Sequence, residues 1–232
     1  MKRLKGPGMK KLVIFDLDGT ILDTISDITN SMNYVLNYLG GTLIDDETMK
    51  AVAKKGRRYI FETAVGHPIE NEKYQEYVKL YNDHYFINKN ILTKPFDGIV
   101  PLLNQLKKEG FLLAVCSNKL HNATSSLIEE VFPDMFDYVI GSSDKILRKP
   151  NPDMIIHVLD KLNVQKENAI FVGDTVADIK AAIRAEVYHI AVLFGFGEEK
   201  DFLEHQPNRL VSNVNDIYPI ITNYFNEEQN LG

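Results

Sequence analysis

Short apolar runs separated by longer amphipathic stretches are the feature that most restricts this chain. Strand-length runs occur at Lys11–Phe15, Phe111–Cys116, Tyr138–Ile140, Ala169–Val172 and His189–Leu193, with a shorter one at Arg209–Val211. Helical patterns fall between or after them at Val100–Lys108, Asn122–Glu130, Pro152–Leu162, Ile179–Ala185 and Val214–Tyr224. Repeated strand-then-helix order predicts an α/β fold, a doubly wound and mainly parallel sheet. In such sheets ligands bind beyond the carboxyl ends of the strands.

One segment breaks the alternation. From Thr20 to about Lys94 no strand is apparent and the pattern is helical. Ile25, Ile28, Met32, Val35 and Leu39 recur at spacings of three and four, and Gly40-Gly41 follow as a stop. Further helices are expected over Asp45–Ala53, Arg58–Ala64 and the tyrosine-rich Glu70–Phe86. The expected organisation is therefore an α/β core of residues 1–20 and 95–232 with an inserted α-helical domain, a cap, over 21–94.

The bulk numbers exclude several classes. With 232 residues, 44% of them apolar and 25% charged, the chain has the balance of a globular protein. No run approaches the roughly 18–20 apolar residues of a spanning helix. The basic start, with Lys2, Arg3, Lys5, Lys10 and Lys11, lacks the apolar stretch of a signal peptide. The single cysteine, Cys116, rules out an intrachain disulfide. A cytoplasmic protein without membrane association is expected. A formal charge of −6 argues against non-specific nucleic-acid binding.

Four polar clusters each follow a different expected strand. Phe15-Asp16-Leu17-Asp18-Gly19-Thr20 brings two carboxylates two residues apart, where an extended backbone sets them on one side. One can stay ionised as a nucleophile while the other carries a proton. Ser117-Asn118-Lys119 offers a hydroxyl and backbone N–H groups suited to phosphate oxygens. Arg148-Lys149-Pro150-Asn151-Pro152 stiffens the chain around a lysine able to meet phosphate or carboxylate. Gly173-Asp174-Thr175-Val176-Ala177-Asp178 spaces two aspartates four apart, as on one helix face, with the hard oxygens that Mg²⁺ favours. Taken singly, the first cluster reads equally as a solvated turn, and the other three read better as a helix cap, a basic turn and a helix N-terminus. Their shared position at successive strand ends favours one site.

That set and order resembles the haloacid dehalogenase-like phosphatase superfamily, whose motifs run Asp-x-Asp-x-Thr, Ser/Thr, Lys and Gly-Asp-x-x-x-Asp. The helical insert between the first two motifs is similar to the α-helical cap of some members. Asp23-Thr24-Ile25-Ser26-Asp27-Ile28, Pro95-Phe96-Asp97-Gly98 and Phe194-Gly195-Phe196-Gly197 resemble the phosphoglycolate phosphatase branch. The resemblance implies Asp16 as nucleophile, Asp18 as acid/base, and Ser117, Asn118 and Lys149 as phosphate-binding groups. It implies Mg²⁺ held by Asp16, Asp18 (through its backbone carbonyl) and Asp174, with Asp178 either a further ligand or a support behind the ligands. The implied substrate is a small phosphorylated metabolite, and the chain is expected as a monomer or homodimer.

Substrate choice is expected from the cap. Lys54-Lys55-Gly56-Arg57-Arg58 sets four cations around a glycine, either as a solvated turn or as a loop meeting an acidic substrate through Arg57. Phosphoglycolate and pyrophosphate both fit. A sugar-phosphate mutase of the β-phosphoglucomutase kind is a further alternative. Outside enzymes, a signalling or binding module that stores rather than turns over an aspartyl-phosphate remains open. Asp18 argues against dehalogenation, since relatives attacking carbon lack that acid. Cys116 reads as a buried core residue, and the six histidines show no ligand spacing.

Overall fold

A computed structural model describes residues 10–53 and 55–228. Lys54 and the basic start through Met9 lie outside the described residues. The chain order is β1 (Leu12–Phe15), β2 (Leu22–Asp23), α1 (Ile25–Tyr38), α2 (Asp46–Ala53), α3 (Gly56–Val65), α4 (Asn71–Asn88), β3 (Lys94–Pro95), α5 (Ile99–Lys108), β4 (Leu112–Leu120) and α6 (His121–Val131). It continues with β5 (Tyr138–Ser142), α7 (Asp153–Leu162), β6 (Ala169–Gly173), α8 (Val176–Arg184), β7 (Tyr188–Val192), α9 (Glu199–Leu203), β8 (Arg209–Val211) and α10 (Ile217–Glu228). The chain folds as two compact units, one over residues 22–94 and one formed by the segments on either side of them. Among the described residues no helix is long and apolar enough to cross a membrane.

The larger unit is a six-stranded sheet in the order β5-β4-β1-β6-β7-β8, each neighbouring pair parallel. The chain runs outward from β1 through β4 to β5, then returns to β1's other side at β6. That reversal is the topological switch point of a doubly wound sheet. β1 is the central strand, and all four of its residues are buried. Leu12 and Ile14 point into a core with Met154, Ile155 and Val158 of α7 and Ala181 and Ala182 of α8. Burying such side chains contributes roughly 1.5–3 kcal/mol each, so the strand carrying the first motif is held from both neighbours and from that face.

In the smaller unit α1 packs along α4. The stripe that α1 buries runs through Ile25, Thr29, Met32, Val35 and Leu36, while Ile28 and Leu39 are only half-buried. Phe61 of α3 is fully buried with Tyr74 and Tyr77 of α4 against its ring; Tyr81 and Tyr85, stacked on each other, are the buried tyrosines of α4, while Tyr74 and Tyr77 are half-buried. Asp27 is buried too. Its carboxylate accepts the backbone N–H groups of Ile91, Leu92 and Thr93 (2.8–3.2 Å) and the Thr93 hydroxyl (2.8 Å).

Three local expectations are corrected. A short strand pair exists where none was expected, β2 with β3, because two residues give no period to read. β4 does not end at Cys116 but runs on through Ser117, Asn118 and Lys119 to Leu120, slipping register between Ser117 and Leu120. Backbone pairing with Gly141 and Ser142 of β5 sustains it there despite the polar side chains. α8 begins at Val176, so Asp174 precedes the helix and does not share a face with Asp178.

Candidate active site

Asp16 follows the last residue of β1, and its N–H donates to the carbonyl of Val172 on β6 (2.9 Å). Asp174 follows β6. The two strands flanking the switch point therefore deliver one carboxylate each to the same edge. Asp178 arrives by another route, as the third residue of α8. One of its oxygens, Oδ2, accepts the Thr175 N–H (2.9 Å) and the Thr175 hydroxyl (2.5 Å), closing a capping box. The other faces the site.

Among the described residues, Asp16, Asp174 and Asp178 form a buried cluster with carboxylate oxygens within 4.8 Å of one another. Lys149 bridges two of them, its Nζ 2.9 Å from Asp16 Oδ1 and 2.6 Å from Asp178 Oδ1. The same ammonium donates to the Cys116 carbonyl (2.7 Å). The loop bearing it is tied from two sides, by Asn118 Nδ2 to the Lys149 carbonyl (2.8 Å) and by Arg184 to the Pro150 carbonyl (2.7 Å). Asn118 is thus a brace through its side chain.

The electrostatics follow from burial. Desolvation pushes Asp16 up to about 7, partly opposed by Lys149 and reinforced by Asp178 and Asp18. Asp174 is raised well above the carboxylate range by burial first, then by Asp16 and Asp178. Burial opposes the charge on Lys149, but Asp16 and Asp178 outweigh it and hold the ammonium more firmly protonated than usual. Cys116 is fully buried and burial pushes its thiol up to about 12, so it is a core residue.

Asp18 stands outside the carboxylate cluster, its Oδ2 paired with Lys119 Nζ at 2.9 Å. Ser117 is buried at the polar extension of β4, and its hydroxyl accepts the Lys119 N–H (3.2 Å). The oxygen donors of the Asp16, Asp174 and Asp178 cluster are those a hard cation takes, and a divalent cation there would supply the positive charge that burial otherwise leaves to protons on Asp16 and Asp174.

Two supports for Asp174 escaped the sequence. Thr20 Oγ1 donates to Asp174 Oδ1 (3.0 Å), and the Phe196 N–H donates to Asp174 Oδ2 (2.8 Å). A Cβ on Gly195 would lie 2.2 Å from the Gly19 carbonyl and 2.4 Å from Asp174 Oδ2, so only glycine lets that loop reach the carboxylate. Gly19 is equally constrained, with φ +80° and a virtual Cβ 2.1 Å from Asp174 Oδ2. The Phe194-Gly195-Phe196-Gly197 motif was the available signal, but its partner lies 22 residues away.

Arg57 belongs to the smaller unit. It donates to Asn82 Oδ1 (2.9 Å) and lies over the Tyr81 ring, while Gly56 opens α3 in a left-handed conformation (φ +83°). Arg58 is engaged elsewhere in that unit, by the Ile69 carbonyl (2.7 Å) and Asn71 (2.8 Å).

A sequence profile of the haloacid dehalogenase-like hydrolases matches residues 13–192. Phosphoglycolate phosphatase of Aquifex aeolicus is 31% identical over 206 residues, covering 87% of this chain and 95% of that protein. Phosphoglycolate phosphatase 1 of Pseudomonas aeruginosa is 28% identical, over 91% of this chain and 79% of the relative. The crystal structure of a candidate phosphoglycolate phosphatase from Lactobacillus delbrueckii subsp. bulgaricus superposes with a TM-score of 0.81 at 30% identity, covering 92% of this chain and 98% of the other. The chain belongs to the haloacid dehalogenase-like hydrolase family. Within it the chain is phosphoglycolate phosphatase-like, an enzyme of the phosphatase class.

Proposed function

We propose that the chain is a Mg²⁺-dependent phosphatase that hydrolyses a small phosphate monoester through an aspartyl-phosphate on Asp16. The observation that carries this reading is the buried junction of Asp16, Asp174 and Asp178 bridged by Lys149. An ionised aspartate beside a fixed ammonium is a nucleophile aimed where phosphoryl oxygens gather.

An oxygen of Asp16 attacks phosphorus and the bond to the leaving oxygen breaks, with Asp18 giving that oxygen its proton. Asp18 then takes a proton from water as the water oxygen attacks the same phosphorus. The bond to Asp16 breaks, releasing phosphate and restoring the carboxylate. Ser117 and Lys149, with the Asn118 backbone, hold the transferring oxygens. Asp16, Asp174, Asp178 and the Asp18 carbonyl would hold Mg²⁺, which supplies charge neutralisation and in-line orientation when bound. Thr20 and Phe196 keep Asp174 oriented for that duty.

Phosphoglycolate is the proposed substrate, supported by the names and coverage of the relatives. Arg57 is the proposed partner of the substrate's second acidic group, and the inserted helical unit is the proposed cap. A cytoplasmic address belongs to the same reading, from the single cysteine. Phosphate release should be measured on phosphoglycolate, pyrophosphate and sugar phosphates, with and without Mg²⁺, for wild type, Asp16→Asn and Arg57→Ala. Release without any divalent cation, or full activity in Asp16→Asn, would sink the mechanism. Isomerisation of a sugar phosphate without net phosphate release would instead mark a mutase. Arg57→Ala should raise KM for phosphoglycolate with little change in kcat.

A further inference from the structure

Lys119 is a largely shielded cation that the mechanism above does not use. Its ammonium lies 2.9 Å from Asp18 Oδ2, with only 9% of the Lys119 side chain and 18% of the Asp18 side chain exposed. Exposed ion pairs of this type contribute little and hold no geometry. This one is different, because both side chains are largely shielded from solvent and the Lys119 backbone is held at its N–H and its carbonyl. The Lys119 N–H donates to Ser117 Oγ (3.2 Å), and its carbonyl accepts the Thr124 hydroxyl (3.3 Å). Gly141 of β5 packs against the turn so closely that a Cβ there would sit 2.7 Å from the Lys119 carbonyl and 2.6 Å from the His121 Cα. The extension of β4 past Ser117 is what carries Lys119 to this point.

We propose that Lys119 is a positioning residue for Asp18: it holds the Asp18 carboxyl in the one orientation from which a proton reaches the leaving oxygen. The two lysines of the site then divide the work, Lys149 serving Asp16 and Asp178, and Lys119 serving Asp18. The inference rests on the phosphatase reading above. It separates from a direct phosphate contact by its dependence on the leaving group. The phosphoryl group is the same in every substrate, so a lysine touching it matters equally for all. A lysine acting through the general acid matters only when the departing oxygen is too basic to leave without a proton.

The test compares kcat/KM, which reports the first phosphoryl transfer, for phosphoglycolate and p-nitrophenyl phosphate in the Mg²⁺-loaded protein. Lys119→Met should lower it by about 10- to 100-fold for the alkyl ester and by less than about threefold for the aryl ester. Asp18→Asn should show the same selectivity, and the double variant should be no slower than Asp18→Asn alone. Lys119→Arg, which keeps the charge, should restore most of the alkyl activity and serves if Lys119→Met does not fold. Equal losses on both esters, no loss on either, or additive losses in the double variant would overturn the proposal. Failure of the phosphatase reading shows separately, as a wild type inert toward both esters or an Asp16→Asn variant with full activity.

Discussion

Asp178 caps its own helix with one carboxylate oxygen and grips Lys149 with the other, 2.9 Å to the Thr175 N–H and 2.6 Å to the ammonium. A single side chain thereby starts α8 and sets the lysine's position. Asp178→Ala should cost about 1–2 kcal/mol of stability from the lost capping box, read by urea denaturation. Asp178→Asn retains an acceptor for Thr175 and should keep most of that stability while kcat/KM falls at least about tenfold through loss of a site charge. An Asn variant with wild-type kinetics would show that the charge on Asp178 does not matter to catalysis.

The buried carboxylates make stability depend on pH with a definite sign. Burial holds Asp16 at about 7 in the folded protein, against about 4 in an unfolded chain. The folded protein therefore binds more protons in this window. Its contribution to stability is complete below about pH 4 and is lost as pH rises through about 7. Mg²⁺ binding expels those protons, so adding it should raise Tm more at pH 8 than at pH 5.5. Thermal melts at both pH values, with and without the cation, check this; a Mg²⁺ shift independent of pH contradicts it.

Gly195 is a steric requirement of the Asp174 site, since any Cβ there meets Asp174 Oδ2 and the Gly19 carbonyl. Gly195→Ala should lose about 1–3 kcal/mol and weaken the stabilisation that Mg²⁺ confers, because the Phe196 N–H is drawn away from Asp174. Mg²⁺ titration followed by thermal melting reads both effects. Unchanged Mg²⁺ stabilisation would show that this loop does not orient the ligand.

Asp27 belongs to a short motif legible in the sequence, and the structure makes it the clamp of the segment that leaves the helical unit. Asp27→Ala strips the acceptor from three backbone N–H groups and should cost about 3 kcal/mol. Amide exchange should quicken at Leu92 and Thr93 first. Protection unchanged at those two positions would refute the clamp.

Much of the architecture is legible along the chain because it is written in local periods. Apolar runs of strand length, helical spacing and the order of four polar clusters each depend on neighbours a few residues apart. They sufficed for the parallel sheet and the helical insert, and they offered Asp16, Asp174 and Asp178, whose carboxylates the structure brings together. Boundaries were less legible where polar residues continued a strand, as at Ser117–Leu120, because pairing with β5 overrides composition there.

What only the tertiary structure decided is which atom serves which partner. Thr20 reaches Asp174 across 154 residues of sequence, and Phe196 reaches it across 22. Lys119 lies in a motif that could be quoted from the chain, but its pairing with Asp18 depends on β4 running past its apolar stretch. Residue types and their order set the chemistry available. Strand register, a helix cap and glycines without room for a Cβ aimed it, because those constraints exist only after distant segments share one packed edge.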